Sequence, residues 1–336
     1  MSKFSRSFDV AVLAAWDKAH PGNAVRALFS RWCLPGVENT GPVGLRVGLR
    51  DKYVNFYAKG QSVAKLSIRR GLPRVEVHQA YVVGTKRNRS VERIPNAQAY
   101  RSFEAEDLAS PEVVAQITQW VEVAETYASA EKRFVDDLVS SNAGAIDLEM
   151  ALPANVLPNT TPVAPRMDLV MAQIDGEGQL SLAFWEAKCA TNPELRANNH
   201  EPRVRAQLEK YVAWVRAGNR LAEVQEAYSN TGRVFLELYR HFCGDEQTSE
   251  CGRLWRALAE DKSPPIVSRP GIVVGNYWPY DSDDEVAADQ LRRSAMSFTS
   301  KGHRKALEDS GFRVHEVGPA YESAVLPLLA ESKVTA

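Results

Sequence analysis

Three ionisable residues fall on what the sequence predicts to be a β-hairpin. Residues 166–174 and 180–188 are apolar, β-rich runs, and the Asp-Gly-Glu-Gly stretch between them is typical of a tight turn. Side chains at i and i+2 of a strand share a face, so Glu186 and Lys188 are expected on the same side of the second strand. Asp168, on the first strand, can face them where the hairpin register allows it.

These residue types suit metal-assisted hydrolysis of a phosphodiester. Magnesium prefers oxygen ligands, keeps several waters and is usually held by one or two carboxylates together with substrate phosphate. We expect Asp168 and Glu186 to be metal ligands, with the carbonyl of Ala187 as a third. The metal would acidify a bound water and polarise the phosphate, while Lys188 would position the attacking water and offset developing charge. Without metal the two carboxylates repel, which predicts raised pKa values and a poorly formed site.

The same residues resemble a known pattern. Asp168 followed by Glu186-Ala187-Lys188 at the end of an apolar strand is similar to the motif of the PD-(D/E)XK nuclease superfamily. Gln207 and Tyr211, on the next predicted helix, resemble the Q-x-x-x-Y motif of its RecB-like branch. The resemblance covers residues 131–211 and extends more loosely to 317. One departure is that Arg166 and Met167 separate Pro165 from the acid.

The resemblance implies a restriction-endonuclease-like fold that cleaves DNA with Mg²⁺, for which Mn²⁺ could substitute. Gln207 and Tyr211 lie at i and i+4 of their helix and so share a face, which in the family looks back at the metal site. The segment E-K-R-F-V-D-D-L-V resembles a helix that lends a further carboxylate, and Glu131 is the matching position. The alternative for Glu131 is an ordinary solvent-exposed glutamate.

The composition and the periodicity of apolar residues predict an α/β protein with two domains. The chain has 336 residues, of which 44% are hydrophobic and 25% charged, as in globular proteins with a sizeable core. Residues 1–105 are predicted to form a smaller N-terminal α+β domain with an antiparallel β-meander of about four strands. Residues 110–330 are predicted to form the nuclease domain, with a mixed central sheet flanked by helices. We predict a loop over residues 95–111 and one long helix from Ser110 to about Ser140.

The meander interleaves basic and aromatic residues. Its predicted polar positions hold Arg46, Lys59, Lys65, Arg69 and Arg70 together with Tyr53 and Tyr57, and Lys86–Arg89 follow in a loop. Such a surface could track a phosphate backbone and stack bases. The alternative is the solvated face of a half-buried sheet, where lysines discourage edge pairing. The basic stretch 300–305 at a predicted helix start is another candidate phosphate contact.

Several other chemistries have no motif behind them. The chain lacks a Gly-rich phosphate loop and the motifs G-x-S-x-G, H-E-x-x-H and C-x-x-C. Its four cysteines show no closely spaced pair of the kind that iron–sulfur clusters use, which favours free thiols. Asp9 and Asp17 flank the only apolar run in the first twenty residues, so we expect neither a signal peptide nor a membrane span, and a cytoplasmic protein.

Two hypotheses follow. The first is a magnesium-dependent deoxyribonuclease acting in DNA repair, recombination or defence against foreign DNA, as the resemblance implies. It could work as a homodimer or with a protein partner bound through the N-terminal domain. The second is a non-catalytic module with the nuclease fold that binds nucleic acid or a protein. Metal dependence separates them, because a binding module needs no magnesium and tolerates Asp168→Ala.

Overall fold

A computed structural model describes residues 3–38, 44–86, 99–153, 166–196, 201–244, 249–275, 293–294, 296–318 and 324–329. Pro165, next to the candidate motif, and Arg87–Arg89 of the predicted basic loop lie outside these residues. Within them, no helix has the length and apolar character needed to cross a membrane.

The predicted meander forms an antiparallel sheet, but with five strands in the order β1-β2-β3-β4-β5. The strands are β1 (Arg46–Arg50), β2 (Tyr53–Ala58), β3 (Gln61–Arg69), β4 (Leu72–His78) and β5 (Tyr100–Phe103). The fifth strand corrects the loop predicted for residues 95–111. β5 is four residues long and only Phe103 is buried, so it lacks the apolar alternation by which strands are recognised.

Short helices pack around this sheet. They are α1 (Val10–Ala19), α2 (Ala24–Phe29), α3 (Gln79–Val82) and α4 (Ala105–Leu108). The side chains of Asp9 and Asn23 accept hydrogen bonds from backbone N–H groups and cap the first two helices. α1 and α2 lie in the part predicted to be α+β, whereas α4 falls in the segment predicted as a loop.

The single long helix predicted from Ser110 to Ser140 is wrong, because two helices occupy this segment. α5 (Pro111–Glu125) begins at the predicted Ser110 cap, and α6 (Ala130–Ser141) begins after Ser129. The hydroxyl of Ser129 accepts a hydrogen bond from the N–H of Lys132, which starts the second helix anew. The break matters for function because it places Glu131 in the first turn of α6.

A second sheet is mixed, as predicted, and has the order β10-β9-β8-β7-β6. Its strands are β6 (Ala145–Ala151), β7 (Arg166–Ile174), β8 (Leu180–Cys189), β9 (Gly271–Gly275) and β10 (Arg313–Val317). The β6-β7-β8 pairs are antiparallel, whereas β9 runs parallel to both β8 and β10. β7 and β8 are the two arms of the predicted hairpin. Asp175 organises their turn by accepting hydrogen bonds from the N–H groups of Glu177 and Gln179.

Helices cover both faces of this second sheet. The later helices are α7 (Val204–Val215), α8 (Arg220–Phe242), α9 (Glu250–Glu260) and α10 (His303–Asp309). Val170 and Phe184 belong to a buried cluster that includes α7, α8 and α9, while Leu169 and Trp185 belong to a second cluster with α6. The alternation along β7 and β8 thus buries both faces, which accounts for their nearly continuous apolar sequence.

Buried ion pairs join the first sheet to the second. Arg46 of β1 pairs with Asp136 of α6, and Arg50 pairs with Asp147 of β6. Arg46 is 1% exposed, which corrects its placement among the solvated positions of the meander. A lone buried guanidinium would be costly, so each arginine requires its carboxylate. The apolar side of the first sheet also shares one continuous buried cluster with α7, α8 and α9.

Candidate active site

The two strands of the hairpin separate where the predicted residues lie. Pairing between β7 and β8 runs from Ile174–Leu180 to Leu169–Trp185. Beyond that point β7 pairs with β6 and β8 pairs with β9. Oδ2 of Asp168 accepts a hydrogen bond of 2.9 Å from the N–H of Ala187 across the gap. A side-chain carboxylate thus bonds to the β8 backbone at the point where the strands part.

Glu186 lies at the centre of this opening and is 1% exposed. Its Oε1 accepts hydrogen bonds from Nζ of Lys188 at 2.5 Å and from Nε2 of Gln207 at 2.6 Å. Its Oε2 is buried and has no hydrogen-bond partner among the described residues. A buried carboxylate oxygen without a partner is costly unless something else binds it. Lys188 and Gln207 thus hold this carboxylate by one of its two oxygens.

Lys188 lies among several carboxylates. Its ammonium is 2.5 Å from Glu186, 3.5 Å from Glu194 and 3.8 Å from Glu131. Glu131 also accepts a hydrogen bond of 2.8 Å from the side-chain amide of Asn192. The structure therefore brings Glu131 to the centre, as its resemblance to the family helix predicts.

The two residues of the Q-x-x-x-Y motif differ in their contacts. Gln207 reaches the centre and also donates a hydrogen bond of 3.3 Å to the carbonyl of Arg166. Tyr211 is 1% exposed, and its ring packs 4.9 Å from that of Phe184. Its hydroxyl is buried and makes no hydrogen bond within the described part of the chain. Tyr211 is thus a packing residue beneath the strand in this structure, while Gln207 contacts the site.

The ionisation of the centre reflects burial and crowding of like charge. Burial raises the pKa of Asp168 to about 6, against the opposing effect of Lys188. Burial and then the neighbouring Asp168 raise the pKa of Glu186 well above its usual value. Burial disfavours the Lys188 ammonium, but Glu186, Asp168 and Glu131 outweigh it and raise the pKa of Lys188. The raised carboxyl pKa values agree with the prediction made for the metal-free pair.

The candidate metal ligands suit an ion that keeps several waters, such as magnesium, rather than an ion that the protein surrounds completely. Among the described residues, no group of three or more His, Cys, Asp or Glu side chains is arranged to hold a metal. Asp168 and Glu186 supply two carboxylates, Oε2 of Glu186 is without a partner, and the Ala187 peptide lies at Asp168. An ion that keeps several waters needs no larger protein donor set. Burial raises the pKa of the adjacent Cys189 thiol to about 12, which argues against a thiolate nucleophile at neutral pH.

The basic positions of the meander are distributed differently from the prediction. Lys59 approaches Asp136, and Tyr57 is buried with its hydroxyl accepting a hydrogen bond from Arg50. Lys65 remains half exposed, with its ammonium 4.5 Å from the centre of the Tyr53 ring. In the basic stretch 300–305, Arg304 pairs with Glu308 and Glu316, and Lys305 pairs with Asp309. These pairs partly neutralise that candidate phosphate contact.

Two residues near the centre, Asn192 and Glu194, were not identified from the sequence. They begin a short 3₁₀ turn, Pro193–Leu195, in which the Asn192 side chain caps the N–H of Glu194. The Asn-Pro-Glu sequence is a recognisable start signal for such a turn. Nothing in that signal shows that the turn folds back towards Lys188.

The chain matches no known family model, no curated protein and no solved structure.

Proposed function

We propose that this protein is a magnesium-dependent deoxyribonuclease whose second sheet is of the restriction-endonuclease-like, PD-(D/E)XK type. The observation that carries the proposal is the buried Glu186, with one oxygen held by Lys188 and Gln207 and the other without a partner, beside Asp168. An uncompensated carboxylate oxygen next to a second carboxylate is an arrangement that a divalent cation would stabilise. The mixed sheet with helices on both faces supports the fold assignment.

Each residue has a role in the proposed hydrolysis. Asp168, Glu186 and the Ala187 carbonyl would hold Mg²⁺, or Mn²⁺ in its place, and the bound ion would acidify a water and polarise the phosphate. Gln207 keeps Oε1 of Glu186 oriented, which leaves Oε2 for the ion. Lys188 stays protonated, because its neighbours raise its pKa, so it donates hydrogen bonds to the attacking water and offsets charge on the phosphoryl oxygens. Glu131 positions the Lys188 ammonium.

The alternative is a non-catalytic module with the same fold that binds nucleic acid or a protein partner. The observation that favours it is the set of ion pairs from Lys188 to Glu186, Glu194 and Glu131, which partly satisfies the centre without metal. Magnesium titration distinguishes the two. If Glu186 binds the metal, the melting temperature of wild type rises with Mg²⁺ and that of Glu186→Gln does not. If the protein is a binding module without a metal site, Mg²⁺ raises the melting temperature of neither protein.

Cleavage assays test the proposal directly. Purified protein is incubated with supercoiled plasmid, linear duplex and single-stranded DNA in Mg²⁺, Mn²⁺ or EDTA, alongside the variants Lys188→Ala and Asp168→Asn. Lys18→Ala is the control, because Lys18 is exposed at the end of α1, far along the chain from the site. We expect metal-dependent cleavage that falls at least about a hundredfold in Lys188→Ala. Cleavage by Lys188→Ala at the wild-type rate would refute the site, and cleavage in EDTA would refute the metal.

A role in DNA repair, recombination or defence is part of the same proposal. It rests on the resemblance of the Asp168, Glu186-Ala187-Lys188 and Gln207–Tyr211 pattern to RecB-like nucleases. Cleavage of all three DNA forms would favour a general nuclease, whereas a requirement for an end would favour repair or recombination. Sedimentation of the purified protein with and without DNA tests for the expected homodimer.

A further inference from the structure

A groove of about 480 Å³ lies between the first sheet and the β6–β7 end of the second. We call it the polar groove, and six of its lining residues define it: Arg50, Tyr53, Asn55, Tyr57, Lys132 and Arg166. Its volume is in the range of sites that hold a small ligand, so it can accept unpaired nucleotides but is too small to enclose a duplex.

The polar groove begins next to the candidate active site, because two elements, β7 and α6, contribute to both. Arg166 precedes Asp168 by two residues on β7, so the two side chains lie on the same side of the strand. Lys132 follows Glu131 in the first turn of α6. The β2–β3 turn meets α6 closely at Gly60, where a Cβ would collide with the carbonyl oxygen of Lys132. A nucleic-acid strand that leaves the active site along this side of the sheet would therefore enter the groove.

The groove carries more positive than negative charge. Its lining includes two acidic side chains, Asp51 and Glu149, and five cationic ones: Lys3, Arg6, Arg50, Lys132 and Arg166. The Arg166 side chain is 66% exposed, and its Nη1 lies 3.8 Å from Oε2 of Glu149, which is a long ion pair. Of these five, Arg6 and Arg50 share the single buried carboxylate of Asp147, and Lys3 pairs with Glu226, so one positive charge remains in excess. Such a surface attracts a phosphate backbone.

The floor also offers groups that contact bases. Tyr53 and Asn55 alternate along β2 and are both partly exposed on the side of the groove. Lys65 lies 4.5 Å from the Tyr53 ring, so a cation and an aromatic face occur together. Aromatic rings interleaved with cations are the means by which proteins bind single strands without base pairing.

We propose that the polar groove binds single-stranded DNA that leads away from the active site, so that the enzyme takes an unpaired strand in preference to a duplex. Arg166 and Lys132 contact phosphates next to the cleavage point, and Tyr53 stacks on a base further along. This inference rests on the proposed function, because the active site defines the point from which the DNA strand leads away. Binding of single-stranded DNA in the groove does not itself require cleavage.

Binding is measured by fluorescence anisotropy of a labelled single-stranded oligonucleotide in EDTA, which prevents cleavage. The variants are Arg166→Gln/Lys132→Gln, Tyr53→Ala and the matched control Lys18→Gln. We expect the double variant to bind at least about tenfold more weakly. The slope of log K against log salt concentration should become shallower by about 1.4, since each of the two lost phosphate contacts contributes about 0.7. Tyr53→Ala should lose about tenfold, Lys18→Gln should bind like wild type, and unlabelled duplex should compete at least about tenfold less well.

Three outcomes would overturn the inference. Wild type and the groove variants could bind equally well, wild type could fail to bind, or duplex DNA could compete as strongly as single-stranded DNA. Circular dichroism and melting temperature verify that the variants are folded. Cleavage that depends on Lys188 together with unaffected binding by the groove variants would refute the groove and leave the nuclease intact. Weakened binding by the groove variants with no cleavage under any metal would refute the nuclease and leave the groove as a single-strand site.

Discussion

Nε2 of Gln207 lies 2.6 Å from Oε1 of Glu186, so a helix residue fixes the orientation of a carboxylate on the adjacent strand. Lys188 bonds to the same oxygen. The opposite oxygen, Oε2, is buried and has no hydrogen-bond partner among the described residues. Two partners thus restrain a carboxylate that burial alone would favour in the neutral form.

Gln207→Ala should reduce cleavage about 10–100-fold, which is the usual effect of removing a residue that orients a metal ligand. Gln207 is half-buried and its amide donates to Glu186 and to the carbonyl of Arg166, so the melting temperature should change little. Steady-state cleavage over a range of Mg²⁺ concentrations measures the effect, which should appear partly as weaker magnesium dependence. Gln225→Ala is the matched control, since Gln225 donates to backbone carbonyls of Ser263 and Pro264 instead. Equal activity of Gln207→Ala and wild type would contradict the orienting role.

Asp168→Asn should stabilise the metal-free protein at neutral pH while abolishing cleavage. The folded pKa of Asp168, about 6, lies above its unfolded value of about 3.9. The protonated carboxyl therefore contributes stability that is fully present below about pH 3.9 and is lost as the pH rises from there through about 6. In EDTA, the wild type and the variant should have similar stability at about pH 3, below the unfolded pKa, and the variant should be the more stable at about pH 7.5. Saturating Mg²⁺ at the higher pH should reverse that order, because the ion binds the ionised carboxylate.

Urea denaturation at the two pH values measures this difference. Glu177→Gln, in the exposed turn of the same hairpin, is the control and should show no pH-dependent difference from wild type. Cleavage by wild type should rise with pH through about 6, since the carboxylate must lose its proton to bind metal. A pH-independent stability difference between wild type and Asp168→Asn would show that this carboxyl is not perturbed.

The hairpin and its residues could be predicted because the information is local. Residues 166–188 contain two apolar runs, a four-residue turn and ionisable residues at the end of one strand, and each signal comes from neighbours in the chain. The structure confirms the hairpin and brings Asp168, Glu186 and Lys188 together. The end of β7–β8 pairing after Leu169–Trp185 could not be read this way, because it depends on where β6 and β9 hold the outer edges of the two strands, and those strands are distant in the sequence.

Other features depended on tertiary contacts that no local pattern contains. Arg46 alternates like a solvated strand residue, yet Asp136, 90 residues later, pairs with it in the interior. The break between α5 and α6 at Ser129 is signalled by a serine cap, but apolar residues continue at helical spacing on both sides, which favoured one helix. Glu194 reaches Lys188 only because the 3₁₀ turn after β8 folds back.

Tyr211→Phe should leave cleavage close to wild type and keep or slightly increase stability, by up to about 1 kcal/mol, because it removes a buried hydroxyl that has no partner among the described residues. Tyr211→Ala, by contrast, removes the ring packed on Phe184 and should cost about 3–5 kcal/mol. Urea denaturation and cleavage rates compare the two variants. A large loss of cleavage in folded Tyr211→Phe would instead give the phenol a direct role, as the family motif implies.

Asp147→Ala should destabilise the fold by about 3–5 kcal/mol, because it leaves two buried guanidiniums without their carboxylate. Asp147 accepts hydrogen bonds from Arg6 at 2.9 Å and from Tyr228 at 3.0 Å, and it pairs with Arg50. The loss should therefore loosen the attachment of the first sheet to β6.

The same cluster predicts how stability depends on acid. Burial alone would raise the pKa of Asp147, but Arg50 and Arg6 outweigh it and lower the pKa below its usual value. A lowered folded pKa contributes stability that is present above the unfolded value of about 3.9 and is lost as pH falls through the folded value. The free energy of unfolding should thus fall in acid more steeply for wild type than for Asp147→Asn, as measured by urea denaturation at a series of pH values. Asp309→Ala, an exposed carboxylate paired with Lys305, is the control and should change stability by less than about 0.5 kcal/mol. Parallel acid profiles for wild type and Asp147→Asn would show that Asp147 is not held ionised by the two arginines.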